Sequence, residues 1–208
     1  GADLRKSGRT ATKLTGADLT GVKLNNADLG FANLPGANLT GADLTGTTLT
    51  SIVISGTTNL TSAILTGATL TSRDMTGVDL EKADLSGANL SLADLEDAIL
   101  TGANLTGGNP TGSAFTNAEP IKADLSGTTL TSATFSTTTN LTSTILAGAT
   151  LTSADLTGVD LEKADLGGAN LKRADLEDAI LTGANLTGGN LTGATFTNAK
   201  LIKADLSG

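Results

Sequence analysis

The sequence predicts an all-β solenoid, and three observations predict it. A five-residue unit, Ala-(Asp/Asn)-Leu-(Thr/Ser)-Gly, recurs along nearly the whole chain, as in Ala17-Asp18-Leu19-Thr20-Gly21 and then Ala27-Asp28-Leu29, Ala32-Asn33-Leu34, Ala37-Asn38-Leu39 and Ala42-Asp43-Leu44. A period of five fits neither an amphipathic helix nor an alternating strand, so the chain must turn once per unit. Of the 26 Gly, 20 fall at one position of the unit, where a turn is needed. Aromatic residues make up only 2% of the chain while 38% of it is apolar, a composition suited to a thin, regular Leu/Ala core and not to a globular one.

Leu is taken as the centre of each unit, position 0. There are 41 centres from Leu4 to Leu206, and 33 of them are Leu; Arg9, Ile54, Met75, Pro110, Phe115, Pro120, Phe135 and Phe196 are the others. Ala fills position −2 in 26 units. A short extended stretch would carry −2 and 0 inward. A turn using Gly at +2 follows, because a type II turn needs φ > 0 at its third residue. Units that turn regularly and stack coil on coil form a solenoid in which each coil pairs with its neighbours.

These A(D/N)LXX tandem units resemble the pentapeptide repeat proteins, and the resemblance covers essentially the whole chain. It implies a right-handed quadrilateral parallel β-helix with four units per coil, hence about ten coils over a single domain, 1–208. The first repeats, 1–16, match the pattern weakly: Arg9 is a centre, and Ser7 and Thr12 stand where Ala is usual.

The spacing gains one residue between Ile54 and Leu60 and again between Phe135 and Leu141, breaks that lie 81 residues apart. That is four whole coils plus the extra residue, so both extra residues should fall at the same corner. Segments 42–122 and 123–203 share 64 of 81 residues, the mark of a tandem duplication of a four-coil block. With centres assigned in turn to faces one to four from Leu4, every Phe centre, the Met and the Ile centre fall on face three. Ten coils at about 4.8 Å give a rod roughly 50 Å long.

Composition narrows the chemistry. The chain has no His and no Cys, so it offers no imidazole base, thiol nucleophile, disulfide or thiolate metal site. No cofactor motif or calcium-loop spacing is present, and a smooth rod offers no cleft for paired carboxylates, so no enzymatic activity is expected. The formal charge of −8 argues against direct nucleic-acid binding. No run of about 18 apolar residues occurs, so no membrane span is expected. No signal-peptide pattern is seen, and the chain should be soluble. No cap closes the repeat, which leaves end-to-end self-association open.

Two surfaces are candidates for function. Asp74, Asp94, Glu96 and Asp97 should cluster on face three, and the duplication repeats them as Asp155, Asp175, Glu177 and Asp178. They read either as a cation site or dock for a basic partner, or as a solvated acidic surface with Lys82 and Lys163 nearby in sequence. On face one no two Asp are consecutive at −1, which avoids stacking like charges. Face two carries Thr48, Thr50, Thr69, Thr71, Thr129, Thr131, Thr150 and Thr152 in Thr-Leu-Thr units. That array is similar to the flat Thr faces of β-helical ice-binding proteins, and equally to β-branched residues favoured on any pleated surface. Arg73 at an inward position should distort its coil or reach outward. Pro110 and Pro120 should weaken the pairing between coils.

The leading functional expectation is a non-enzymatic structural or protein-interaction scaffold with a protein partner. The alternative implied by the family resemblance is a DNA-mimicking binder of a type II topoisomerase, gyrase. A further alternative is ice binding through the face-two Thr array.

Overall fold

Where the backbone hydrogen bonds of one five-residue unit go determines the architecture. The N–H of position 0 donates to the −1 carbonyl of the next coil, as from Leu85 to Asn104 at 2.7 Å. The −1 N–H donates back to the −2 carbonyl of the previous coil, as from Asp84 to Ala63 at 2.9 Å. The +2 N–H of Gly87 donates forward to Thr106, and the −2 N–H of Ala88 closes the turn on Leu85, both at 2.9 Å. Four of the five amides are therefore satisfied by backbone carbonyls. The amide at +1 is left over.

This computed structural model describes residues 12–208, and Leu4, Ser7 and Arg9 lie outside them. Each unit contributes one parallel bridge at position −1, and the partner lies 20 residues on, as in Lys13↔Asn33 and Asp18↔Asn38. Across each extra residue the step becomes 21, as in Asn38↔Asn59 and Asp124↔Ile145. One coil is thus four pentapeptides, and the coils stack in parallel. Among the described residues these are isolated bridges and no continuous strand forms. Only three residues separate successive turns, too few for a ladder of ordinary length.

The core is the stack of −2 and 0 side chains. From Leu24 to Leu186 it consists almost entirely of Leu and Ala with exposures of a few per cent or less. Face three is the bulky wall, with Met75 and Leu95 fully buried and the rings of Phe115 and Phe135 stacked 5.1 Å apart. At six inward −2 positions a hydroxyl replaces a methyl: Thr47, Thr58, Ser113, Thr128, Thr139 and Thr144 are all buried. Each donates to the carbonyl of a centre, as Thr47 does to Leu44 at 2.7 Å and Ser113 to Leu90 at 2.6 Å. No buried side-chain polar atom among the described residues lacks a partner, the condition for placing a hydroxyl in such a core without loss of stability.

Position +2 has positive φ at every described unit except those of Gly56 and Thr137. Gly is common there but not obligatory, since Lys82, Leu92, Asp97 and Ser153 adopt φ of 55–60° at the same position. The two exceptions are the units that hold the extra residue. There the turn is closed one residue later, by Thr58 N–H to Ser55 and Thr139 N–H to Ser136. The hydroxyls of Thr58 and Thr139 accept from the Ser55 and Ser136 amides and donate to Leu34 and Phe115 in the coil before. Both extra residues thus sit at the corner between faces three and four, with the same wiring.

The irregular residues act locally. Arg73 is half-exposed, and its Nε donates to the Thr71 carbonyl at 3.0 Å, so the guanidinium leaves the core. No bridge joins Val53 to Asp74, whereas the equivalent Thr134↔Asp155 bridge is present. The −2 residues on either side of the missing bridge are Ile52 and Arg73, where the second block has the smaller Ala133 and Ala154. A small apolar cavity lies at this level, lined by Ile52, Ile54 and surrounding Leu side chains. At Pro110 and Pro120 the bridges Asn109–Thr129 and Glu119–Asn140 are missing, as the lost N–H requires.

Candidate functional site

The leftover +1 amide explains why position −1 is Asp or Asn. In Asp18 the Oδ1 accepts from the Thr20 amide at 3.1 Å and from its hydroxyl at 2.6 Å. Asn38 does the same with Thr40, and Asp165 accepts from the Gly167 amide at 3.0 Å. Among the described residues every −1 Asp or Asn makes this bond but Asn33, whose +1 residue is Pro35 and has no amide to give. Only a carbonyl-type oxygen is needed, so carboxylate and carboxamide interchange freely. The surface charge can therefore vary without altering the turn.

These bonds stabilise the ionised carboxylates. The Thr20 hydroxyl and amide hold Asp18 below its ordinary pKa, and the Thr45 hydroxyl and amide do so for Asp43. At Asp84 burial works to raise the pKa, but the Ser86 hydroxyl and amide and the Thr66 hydroxyl together outweigh it, and the net shift is downward. Asp175 is lowered by the Thr195 hydroxyl and the Glu177 amide. A carboxylate so held is a poor general acid at neutral pH.

On face three, Asp74 bridges to Asp94 and Asp155 to Asp175 on adjacent coils. All four close their own turns, on Thr76, Glu96, Thr157 and Glu177. Glu96 and Glu177 occupy +1. Asp97 and Asp178 stand exposed at +2 of the corner between faces three and four. Lys82 and Lys163 do not neutralise this surface, because each pairs with the glutamate beside it, Glu81 at 2.6 Å and Glu162 at 2.7 Å, at the corner between faces four and one. No group of three or more acidic residues among the described ones is disposed to hold a metal ion. Asp bridges Asp on no other described face. On face one the Asp residues alternate with Ile or Asn, as in Asp43↔Ile64↔Asp84↔Asn104, and Asn104 and Asn185 donate their amides to Asp84 and Asp165 at 3.1 and 2.8 Å.

On face two, Thr48↔Thr69 and Thr129↔Thr150 are bridge partners, so the eight Thr of the array form two squares on adjacent coils. Between them lie Asn89-Leu90-Ser91 and Asn109-Pro110-Thr111, whose amide oxygens capture Ser91 and Thr111. Thr at −1 has no amide oxygen to offer. Among the described residues none of the eight array hydroxyls meets a protein partner. The sequence showed the array but not this difference; the signal was the residue at −1, since Asp/Asn-Leu-Thr ties the hydroxyl down and Thr-Leu-Thr leaves it free.

No helix among the described residues is long and apolar enough to cross a membrane. A family profile for pentapeptide repeats matches the chain in eight copies, over residues 12–50, 74–109, 93–131, 137–173 and 169–208. The crystal structure of HetL, a pentapeptide repeat protein involved in heterocyst differentiation regulation in the cyanobacterium Nostoc sp. strain PCC 7120, is similar to this chain with 32% identity and a TM-score of 0.54, covering 97% of this chain and 92% of that one. A trypsin-treated form of QnrB1, a plasmid-mediated fluoroquinolone resistance protein, aligns at 20% identity and a TM-score of 0.40 over 94% of this chain and 92% of its own. A pentapeptide repeat protein of the Arabidopsis thaliana thylakoid lumen aligns at 28% identity and a TM-score of 0.26 over 57% of this chain and 68% of that one. Among curated proteins none matches. With repeat matches over most of its length and a relative of this likeness, the chain belongs to the pentapeptide repeat family.

Proposed function

We propose that the chain is a non-enzymatic protein-binding rod that docks a basic partner along face three. In finer detail the rod is read as a single right-handed quadrilateral β-helix of about ten coils, built by duplication of the block 42–122 into 123–203. The observation that carries the functional reading is the stacking of Asp74 on Asp94 and of Asp155 on Asp175. Like charges directly opposite across a ladder are destabilising, and elsewhere in the described rod they are kept apart. Since Asn would close the same turns, the charge at these positions serves something other than the fold. The two pairs lie four coils apart, about 19 Å along the rod, and a basic surface spanning that distance would meet both. HetL, a relative of similar length, is involved in regulation, which is consistent with a role through partners. The reading as a DNA mimic that binds gyrase has less support, because the face-one Asp column is interrupted by Ile64, Asn104, Ile145 and Asn185.

The test uses the interchange of Asp and Asn. The variant Asp74→Asn, Asp94→Asn, Asp155→Asn, Asp175→Asn keeps every turn closed and removes four charges. Proteins captured by the wild-type rod in a salt-sensitive manner should be lost from this variant. Capture of the same proteins by both forms would refute docking at face three. Inhibition of gyrase supercoiling by the wild type would favour the DNA-mimic reading instead.

A further inference from the structure

The eight unpartnered hydroxyls of face two belong to a surface with little charge, into which Arg73 reaches beside Thr71. At −1 and at the flanking corner positions, no charged residue occurs on this side from Thr45 to Ser153; Asp28 precedes that stretch, and Lys172 and Arg173 follow it. The corner between faces one and two carries Gly at +2 in every coil from Gly46 to Gly188. Positive φ favours Gly here but does not demand it, since Lys, Ser and Leu adopt it at other corners. Packing does not require it either, because a Cβ at Gly67, Gly87, Gly107 or Gly127 would meet nothing within 4 Å. The consequence is at the surface: at +2 of that corner no side chain projects beside the Thr squares, and the +1 residues there are small and uncharged, as Thr45, Thr66, Ser126 and Ala147 are.

The dimensions of the squares follow from the fold. Thr at −1 and +1 of one unit are two residues apart, about 6.6 Å where the Leu between them is extended and +1 opens the turn, and equivalent Thr on adjacent coils are about 4.8 Å apart. In a tetrahedral water lattice with O···O contacts of about 2.8 Å, second neighbours lie about 4.5 Å apart and the axial repeat is about 7.4 Å. The two nets agree to within roughly a tenth. Each Thr presents a hydroxyl to such a lattice and a methyl group to the spaces between its waters.

We infer that face two is an ice-binding surface, with the Thr squares at 48–71 and 129–152 as its two contact areas. A crystalline polysaccharide is the other neutral, hydroxyl-bearing lattice of this kind. Its pyranose faces are recognised by stacking on aromatic rings, and neither square contains an aromatic side chain. The second square is the less obstructed, because Arg73 reaches the corner beside Thr71 in the first and its counterpart is Ala154. The inference is independent of the face-three docking.

The test is thermal hysteresis of the purified protein together with its incorporation into a slowly growing ice hemisphere. The wild type should show both. Thr71→Lys with Thr131→Lys should lose both while retaining the wild-type melting temperature. Thr131→Val with Thr150→Val keeps the shape and removes two hydroxyls, which separates surface chemistry from folding; it should reduce incorporation, whereas Arg73→Ala should increase it. The face-three Asn variant should incorporate as the wild type does. Exclusion of the wild type from ice, unaltered hysteresis in the double Lys variant, or co-sedimentation with insoluble cellulose or chitin in place of ice incorporation would each overturn the inference.

Discussion

A substitution scan through one pentapeptide, Ala164 to Gly168, separates the roles that the structure gives to adjacent residues. Leu166 is fully buried, at 0% exposure. Leu166→Ala should cost about 2–5 kcal/mol, the transfer term plus the cavity left in a core only one side chain deep. Asp165 points the other way and accepts from the Gly167 amide at 3.0 Å and the Asn185 amide at 2.8 Å. Asp165→Ala forfeits two bonds of about 1 kcal/mol each, offset in part because the freed donors reach water. Asp165→Asn keeps the acceptor and should lie within about 0.5 kcal/mol of wild type. Gly168 has φ of +66° with open space around it, so Gly168→Ala should cost about 1–2 kcal/mol through the backbone alone. Urea denaturation followed by circular dichroism measures all four. In a chain of this size each kcal/mol corresponds to about 2–4 °C in Tm, so Leu166→Ala should lower it by about 4–20 °C. A larger loss for Asp165→Ala than for Leu166→Ala, or equal losses for Asp165→Ala and Asp165→Asn, would refute the division into an inward centre and an outward turn lock.

Two further outcomes follow, one from the Asp turn bonds and one from the bridge missing at Pro110. Asp18, Asp43, Asp84 and Asp175 have folded-state pKa values below the ordinary carboxylate value, so the folded rod binds protons less readily than the unfolded chain, whose Asp titrate near 3.9. Their contribution to stability is present above that value and is lost as the pH falls through the depressed folded ones. The urea midpoint should be flat from about pH 7 to pH 5 and fall below about pH 4, and replacing Asp43, Asp84 and Asp175 by Asn should flatten the fall; an unchanged acid limb would contradict the assignment. Pro110→Leu restores a donor opposite the Thr129 carbonyl and should stabilise the rod by about 0.5–1.5 kcal/mol, with no gain counting against the account of the missing bridge.

Much of this structure was legible in the sequence because its repeat is short and strict. The inward stack of −2 and 0, the turn at +2 and the common corner of both extra residues follow from spacing alone. The weaker pairing at Pro110 and Pro120 follows from a missing N–H. Three things were not legible. Isolated bridges in place of strands come from having only three residues between turns, which a periodicity does not weigh. The turn-locking role of Asp and Asn emerges only when the backbone donors are counted and the +1 amide is found unclaimed. Lys82 and Lys163 were near the acidic residues in sequence, but the fold turns a corner between them and face three. The candidate faces were visible as lists of residues. Which hydroxyls are free and which carboxylates stack on one another depended on the 20-residue register.

That register is the central claim, and the absence of Cys from the chain makes it directly measurable. Spin labels placed pairwise through Cys at Thr48 and at Thr150, Asn170 or Asn190 lie on one face, separated by five, six and seven coils along the ladder. Pulsed electron paramagnetic resonance should return distances of about 24, 29 and 34 Å, rising by about 4.8 Å per coil. Distances that do not rise linearly with coil number, or that cluster at one value, would contradict a rod of stacked four-pentapeptide coils.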